Sequence, residues 1–245
     1  IYFFNFFFIN HNYMYFENTL IPGEFIKRYK RFFVDAKING KIITAHCPNT
    51  GSMMGLLKKG NRVWLSKNDN PNRKLKFTLQ IIKNDKSRIG INTHFTNKIV
   101  LEGLKNNSIS DLCNLNKIQQ EVKFGDNTRF DFLLNKGNRK IFLEVKNVTL
   151  SRNKGIAEFP DAVTSRGLKH IEELLKAKKK GYEIYLLFLI QRDDCNNFKI
   201  AQDIDPKYYD ILTKAVKKKL KILCYDCKFS SKGIEMNRKI NFVNK

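Results

Sequence analysis

Three side chains near the middle of the chain have the types and spacing for metal-assisted phosphodiester cleavage: Asp131, Glu144 and Lys146. Asp131 lies in the apolar run Thr128-Arg129-Phe130-Asp131-Phe132-Leu133-Leu134, and the other two lie in Ile141-Phe142-Leu143-Glu144-Val145-Lys146-Asn147-Val148. Between the runs, Gly137 and Asn138 tolerate positive φ, so the spacing predicts a strand, a turn and a strand. Side chains alternate along a strand, which sends Glu144 and Lys146 to one face and Val145 to the other. Carboxylates on neighbouring strands can hold a divalent ion such as Mg²⁺, leaving the ammonium to stabilise charge or orient a water. An exposed cross-strand ion pair accounts equally for the i, i+2 spacing, so the surrounding elements must decide.

Downstream, the pattern predicts an amphipathic helix over 164–180, with Leu168, Ile171, Leu174 and Leu175 as its apolar stripe and Gly181 as its stop. Arg166, Lys169, His170 and Glu173 fall on the other side, where the cations either follow a phosphate backbone or face solvent. His170 is open to three roles: proton transfer, metal ligation, or a hydrogen bond to backbone. Residues 182–190 read as a buried strand. Asp205-Pro206 has the form of an N-cap followed by proline at the first helical position, and 222–229 closes as a strand. Strands alternating with helices after a hairpin imply a mixed α/β domain. Upstream of the hairpin, Glu121 in Gln119-Gln120-Glu121-Val122-Lys123 is either a third catalytic acid or a solvent-facing strand residue.

The first part of the chain has a different rhythm. Residues 31–38 alternate, Asn39-Gly40 reverses the chain, and further strands are expected at 62–67, 76–83 and 88–92. About five short strands at this spacing fit a small barrel of the oligonucleotide-binding (OB) type. Arg28, Tyr29, Lys30 and Arg31 combine cations with an aromatic face suited to phosphate contact and base stacking. His46-Cys47-Pro48-Asn49-Thr50-Gly51 contains a turn able to present backbone N–H groups to an anion, an ordinary turn being the alternative. A nucleophile pair of Cys47 and His46 is disfavoured, since adjacent strand residues point to opposite faces. A polar helical stretch over 96–115, broken at Asn106-Asn107-Ser108, marks the boundary.

Composition narrows the partner. Of 245 residues, 46 are Lys or Arg and 23 are Asp or Glu, a net charge of +23 that favours a polyanion. The chain is also crowded with Asn, Ile and Phe, the signature of AT-rich coding, which accounts for part of the lysine excess. Five cysteines in a chain of this size fit ordinary thiols in a reducing cytoplasm, and Cys224-Tyr225-Asp226-Cys227 lacks the second pair a closed zinc site needs. Residues 1–13 are apolar but lack a basic flank and a cleavage site, and they are too short to span a bilayer. They read as an over-extended start ahead of Met14. No other stretch is long and apolar enough for a membrane helix, and no dinucleotide or P-loop glycine motif appears.

Beyond these readings, Arg129-Phe130-Asp131-Phe132, Glu144-Val145-Lys146-Asn147-Val148-Thr149-Leu150 and the run from Gly155 through Glu158-Phe159-Pro160-Asp161-Ala162-Val163-Thr164-Ser165-Arg166-Gly167-Leu168-Lys169-His170 closely resemble the sugar fermentation stimulation protein A family of prokaryotes. Arg28-Tyr29-Lys30-Arg31-Phe32 and His46-Cys47-Pro48-Asn49-Thr50-Gly51-Ser52-Met53 look like the same family's other signatures. The resemblance implies an N-terminal OB-like β-barrel (14–95) followed by an α/β domain of the PD-(D/E)XK nuclease type (96–245), on whose pattern Asp131, Glu144 and Lys146 fall. It implies DNA as partner, and by their own chemistry Arg28, Tyr29, Lys30, Arg31, His46, Asn49, Thr50, Arg166, Lys169 and His170 are the expected contacts. Asp131 and Glu144 would hold Mg²⁺, and Glu121 would assist. Two functions follow: a metal-dependent DNA nuclease, or a non-catalytic DNA-binding regulator of sugar metabolism genes on a nuclease-like scaffold. Intact acid and lysine positions favour the first, since carboxylates beside phosphate cost affinity unless a cation intervenes.

Overall fold

A computed structural model describes residues 14–125 and 128–243, so the extension expected at 1–13 lies outside it. The chain enters through β1 (Met14–Tyr15) and then builds a barrel from β2 (Ile21–Tyr29), β3 (Phe33–Ile38), β4 (Lys41–His46), β5 (Arg62–Lys67), β6 (Phe77–Asn84) and β7 (Ser87–Gly90). The sheet order is β4-β3-β2-β5-β6-β7, and the extra β4–β6 pairing closes five strands on themselves. Closure removes the free edges of those five strands and encloses a core of residues such as Val34, Ala36, Val63, Leu65 and Leu79. The Asn39-Gly40 reversal occurs as expected, with φ of 48° and 81°.

The 3₁₀ turn Thr93–Phe95 leads into α1 (Thr96–Lys105), which ends at the break expected within 96–115; beyond it only the 3₁₀ turn Ser110–Leu112 is helical. The chain leaves the helix at Asn106-Asn107-Ser108, where Asn107 takes φ +60°. Three antiparallel strands follow, β8 (Lys117–Phe124), β9 (Thr128–Lys136) and β10 (Arg139–Val148), then the short β11 (Leu150–Asn153) and β12 (Ile156–Phe159). Next come α2 (Ser165–Lys179), β13 (Glu183–Ile190), β14 (Asn197–Ile200), α3 (Pro206–Lys217), β15 (Lys221–Phe229), β16 (Gly233–Lys239) and β17 (Asn241–Phe242).

These form a seven-stranded sheet, β1-β16-β15-β13-β10-β9-β8, beside a small four-stranded one, β11-β12-β14-β17. Strands β10, β13 and β15 run parallel because α2 and α3 supply the crossovers. One face of the large sheet packs on α1 through Ile99, Val100 and Leu104, and the other packs on α2 and α3 through Ile171, Leu174, Tyr208 and Leu212. Covered on both faces, β13 reads as an unbroken apolar run, as parallel strands do. Asp205 caps α3 as its sequence predicts, accepting from Tyr208 N at 3.0 Å, and also accepts from Thr164 N at 2.9 Å, which ties the starts of α2 and α3 together.

Barrel and sheet are joined by specific contacts. Gly90 N donates to Gln191 O at 2.9 Å, Ser52 N donates to the Asp161 carboxylate at 2.8 Å, and Ile89 bridges Arg192. Among the described residues no helix is long and apolar enough to cross a membrane.

Candidate active site

The site forms where β9 and β10 part. Their pairing runs from Arg139↔Lys136 to Leu143↔Phe132 and stops, while β10 continues against β13 as far as Val148↔Ile190. Beyond the fork the Val145 N–H has no strand partner on the β9 side, and it donates to Asp131 Oδ2 at 2.7 Å instead. Asn97, from α1, donates to Asp131 Oδ1 at 2.7 Å. Asp131 is thus fixed from the α1 side of the sheet.

Glu144 is fixed from the opposite side. Along β10, Ile141, Leu143 and Val145 face α1, whereas Phe142 and Val148 face α2. Glu144, whose side chain is only 3% exposed, shares the second face and meets α2. Its Oε1 accepts from Lys146 Nζ at 2.6 Å and pairs with His170 Nδ1. Lys146 Nζ and His170 Nδ1 lie 3.5 Å apart. The other oxygen, Oε2, is buried and has no hydrogen-bond partner among the described residues.

The electrostatics of the two acids diverge. Burial, followed by the neighbouring charge of Glu144, pushes the Asp131 carboxyl up to about 6, against the downward pull of its bonds to Val145 N–H and Asn97. Burial also opposes ionisation of Glu144, but the Lys146 ammonium and the His170 contacts outweigh it and hold that carboxyl below its usual range. An ionised acid beside one that resists ionisation is an arrangement a cation relieves.

The residues present fit Mg²⁺. Both acids offer hard oxygen donors, one of them an orphaned buried Oε2, and Mg²⁺ keeps several waters while taking one or two carboxylates. Among the described residues no group of three or more His, Cys, Asp or Glu makes a closed cage, so softer, fully protein-coordinated ions are a poorer match.

Glu121 stands opposite Asp131 on β8, where the pairing skips from Gln120↔Phe132 to Val122↔Phe130. Its φ of +53° marks a kink at which both strands change face: Ile118 and Phe132 pack toward α1, Val122 and Phe130 toward α2. The Glu121 side chain is exposed, lies 4.0 Å from Arg129, and lines a recess shared with Asn97, Val145 and Asn147.

The residues expected at DNA divide into groups. His170 does not lie on the outer face of α2: it belongs to the buried stripe Gly167, His170, Ile171, Leu174 and Ala177, leaving Arg166 and Lys169 exposed. Sequence periodicity assigned it outward because a histidine does not declare which stripe it joins. Arg28 turns inward and ties the following loop together, donating to Asn49 O at 2.6 Å and Gly51 O at 2.9 Å. Tyr29, Lys30 and Arg31 remain exposed at the β2–β3 turn, where Lys30 and Arg31 adopt φ of 47° and 60° and Tyr29 stacks on Phe33. Asn49 is buried and bonded to Gly51 N, Thr50 is exposed, and His46 lines a separate cavity beside the barrel. Sequence reasoning missed Asn97, a lone amide 34 positions from Asp131 with no spacing signal, and passed over Asn147 because an amide next to Lys146 is not by its type a catalytic group.

The same architecture is found in known proteins. The family model "Sugar fermentation stimulation protein RE domain" matches residues 94–233, and "SfsA N-terminal OB domain" matches 26–91. A sugar fermentation stimulation protein homolog from Pelagibacter ubique is 56% identical over 231 residues, covering 94% of this chain and 100% of its own. One from Agrobacterium fabrum is 42% identical over 226 residues, covering 91% and 95%. The structure of Pyrococcus furiosus SfsA in complex with Ca²⁺ superposes with a TM-score of 0.84 at 23% identity, over 95% of this chain and 99% of that one, a likeness of fold. With both family models matched in order and relatives this similar along nearly its whole length, the chain belongs to the sugar fermentation stimulation protein (SfsA) family.

Proposed function

We propose that this chain is a cytoplasmic DNA-binding protein with a Mg²⁺-dependent phosphodiesterase site of the PD-(D/E)XK type. The barrel within 14–95 grips DNA and residues 96–245 carry the chemistry. The observation that supports this most is that the Asp131 carboxylate accepts from the N–H of Val145, the residue between Glu144 and Lys146, at the β9–β10 fork, with Glu144 paired to Lys146 and its Oε2 buried and unsatisfied. When bound, the ion polarises the scissile phosphate and makes a water acidic enough to attack at neutral pH. Asp131 and Glu144 would hold it; Asn97 and His170 fix those two acids. Lys146 Nζ would orient the attacking water or neutralise charge developing on the phosphate, at a site where its own partner is already ionised. The Pyrococcus furiosus relative was solved in complex with Ca²⁺, like Mg²⁺ a hard cation that prefers oxygen. The net charge of +23 supports a polyanionic partner, and five free cysteines suit a reducing compartment.

A second reading is supported by one feature: Oε1 of Glu144 is engaged by both Lys146 and His170, an inward-facing network of the kind a non-catalytic scaffold retains. In that reading the protein binds DNA and regulates sugar metabolism genes without cutting. Incubating the purified protein with labelled single- and double-stranded DNA, in Mg²⁺ or Mn²⁺ against EDTA, separates the two. Cleavage that needs metal and disappears in Asp131→Ala and Lys146→Ala is expected. Tight metal-independent binding without product, unaltered in Lys146→Ala, would leave only the regulator.

A further inference from the structure

A cavity of about 610 Å³ lies between the barrel and α1, within the size range of small-ligand sites. None of the proposed catalytic groups lines it. Lys67, Arg73 and Lys98 bring three cations to its wall, against Glu17 and Glu102. Burial pushes the Glu102 carboxyl up to about 7, so part of that negative charge is absent near neutrality. Arg73 spends one of its five N–H donors on Thr78 Oγ1, at 2.7 Å. That bond fixes a guanidinium in the lining, with donors left to grip a phosphate in two-point fashion.

The floor is organised differently. Gln80, buried in β6, donates to Ser66 Oγ at 2.7 Å and accepts from Asn92 Nδ2 at 2.9 Å, giving a rigid polar wall. Phe16 and Phe95 pack at 6.0 Å with their rings tilted by 56°, forming an apolar corner. His46 and His94 also line the cavity; burial first, then Arg73 and His94, holds the His46 imidazole below its ordinary range. Cations in the lining, an aromatic corner, hydrogen-bonded amides and two imidazoles match the parts of a nucleotide: phosphate, base face and base edge.

The cavity also has an address. His94 lines both it and the recess of about 400 Å³ that contains Asn97, Glu121, Val145 and Asn147, and Asn97 and Val145 are the groups that hold Asp131. We propose that the cavity receives one unstacked nucleotide of a DNA strand whose backbone runs past Asp131 and Glu144, an inference that rests on the DNA reading above. A base within an intact duplex stays in its stack, so the occupant is a single-stranded or flipped-out nucleotide.

The four histidines make the test direct, since His46 and His94 report on the cavity and His170 on the catalytic fork. The full chain in EDTA is titrated with deoxyadenosine 5′-monophosphate and, separately, with 2-deoxyribose 5-phosphate, following histidine ring C–H signals by NMR. The expected result is a saturable shift of the His46 and His94 signals, with the nucleotide bound about tenfold or more tightly than the sugar phosphate. Arg73→Ala should weaken both ligands about tenfold, and Phe95→Ala should remove the preference for the nucleotide. An unmoved His170 signal in both variants verifies the fold. Equal affinity for the two ligands would mean an anion site only. Shifts confined to His170, or none at all, also overturn the proposal. Anisotropy with labelled single-stranded DNA on the same samples keeps the two readings apart: DNA binding without cavity shifts sinks this inference alone, whereas no DNA binding at low salt sinks the DNA reading itself.

Discussion

At the scale of single residues, two carboxylates at one fork are held by different partners, Asp131 by the Val145 N–H and Asn97, Glu144 by Lys146 and His170. Asp131 is raised to about 6, above its unfolded value, so its contribution to metal-free stability is complete below the unfolded pKa and is lost as pH rises through 6. Metal-free protein should therefore lose up to about 3 kcal/mol between pH 4 and 7, and Asp131→Asn should flatten that slope in chemical denaturation. Mg²⁺ should stabilise wild type more at pH 7.5 than at pH 5, because a bound cation must displace the proton. Glu144 has the opposite sign: held low, it stabilises above its unfolded pKa and fails only in stronger acid. Its pairing with Lys146 gives a second prediction. Lys146→Met leaves a buried carboxylate short of its cation and should cost about 3 kcal/mol, while Glu144→Gln combined with Lys146→Met should recover most of that loss without restoring cleavage. Equal stability of the single and double variants would show the pair to be uncoupled.

At the scale of elements, the fork between β9 and β10 does the positioning, and the kink at Glu121 lets β8 and β9 change face together. A positive φ at a glutamate is strained, and glycine relieves the strain. Glu121→Gly should leave stability unchanged or slightly higher, whereas Glu121→Val should lower it by about 1 to 2 kcal/mol, read from urea midpoints. The same glycine variant decides the residue's chemistry: activity retained at wild-type level assigns Glu121 to the bend, and loss of activity without loss of stability assigns it to the site. The pairing with Arg129 at 4.0 Å, exposed on both sides, contributes little to either outcome.

At the scale of the whole molecule, charge and shape act together. Exposed cations lie at the β2–β3 turn and on the outer face of α2, and on the proposed DNA reading counterion release should make binding steeply salt-dependent. Replacing Lys30 and Arg31 with alanine should weaken DNA binding and reduce the slope of log K against log salt by about 0.7 to 0.9 for each lost phosphate contact, measured by anisotropy across a KCl series. Arg28→Ala should leave that slope alone, because its guanidinium serves the loop carbonyls, and should instead loosen the loop that carries Ser52 to Asp161. A slope equally reduced by Arg28→Ala would return that residue to the DNA surface.

The apolar runs within 128–148, the turn between them and the spacing of acid and lysine were enough to place Asp131, Glu144 and Lys146 on one hairpin, since a strand–turn–strand pattern is local, whereas the change of face at Asp131 was not legible. Asp205-Pro206 and Asn39-Gly40 were legible for the same reason: caps and tight turns are written within a few residues. What local sequence could not contain is which groups arrive from elsewhere. Asn97 reaches Asp131 across 34 positions, and His170 reaches Glu144 across 26. The inward turn of Arg28 onto the carbonyls of Asn49 and Gly51 and the cavity between barrel and helix likewise depend on segments distant in the chain. Those contacts are long-range, and only the closed chain brings them within bonding distance.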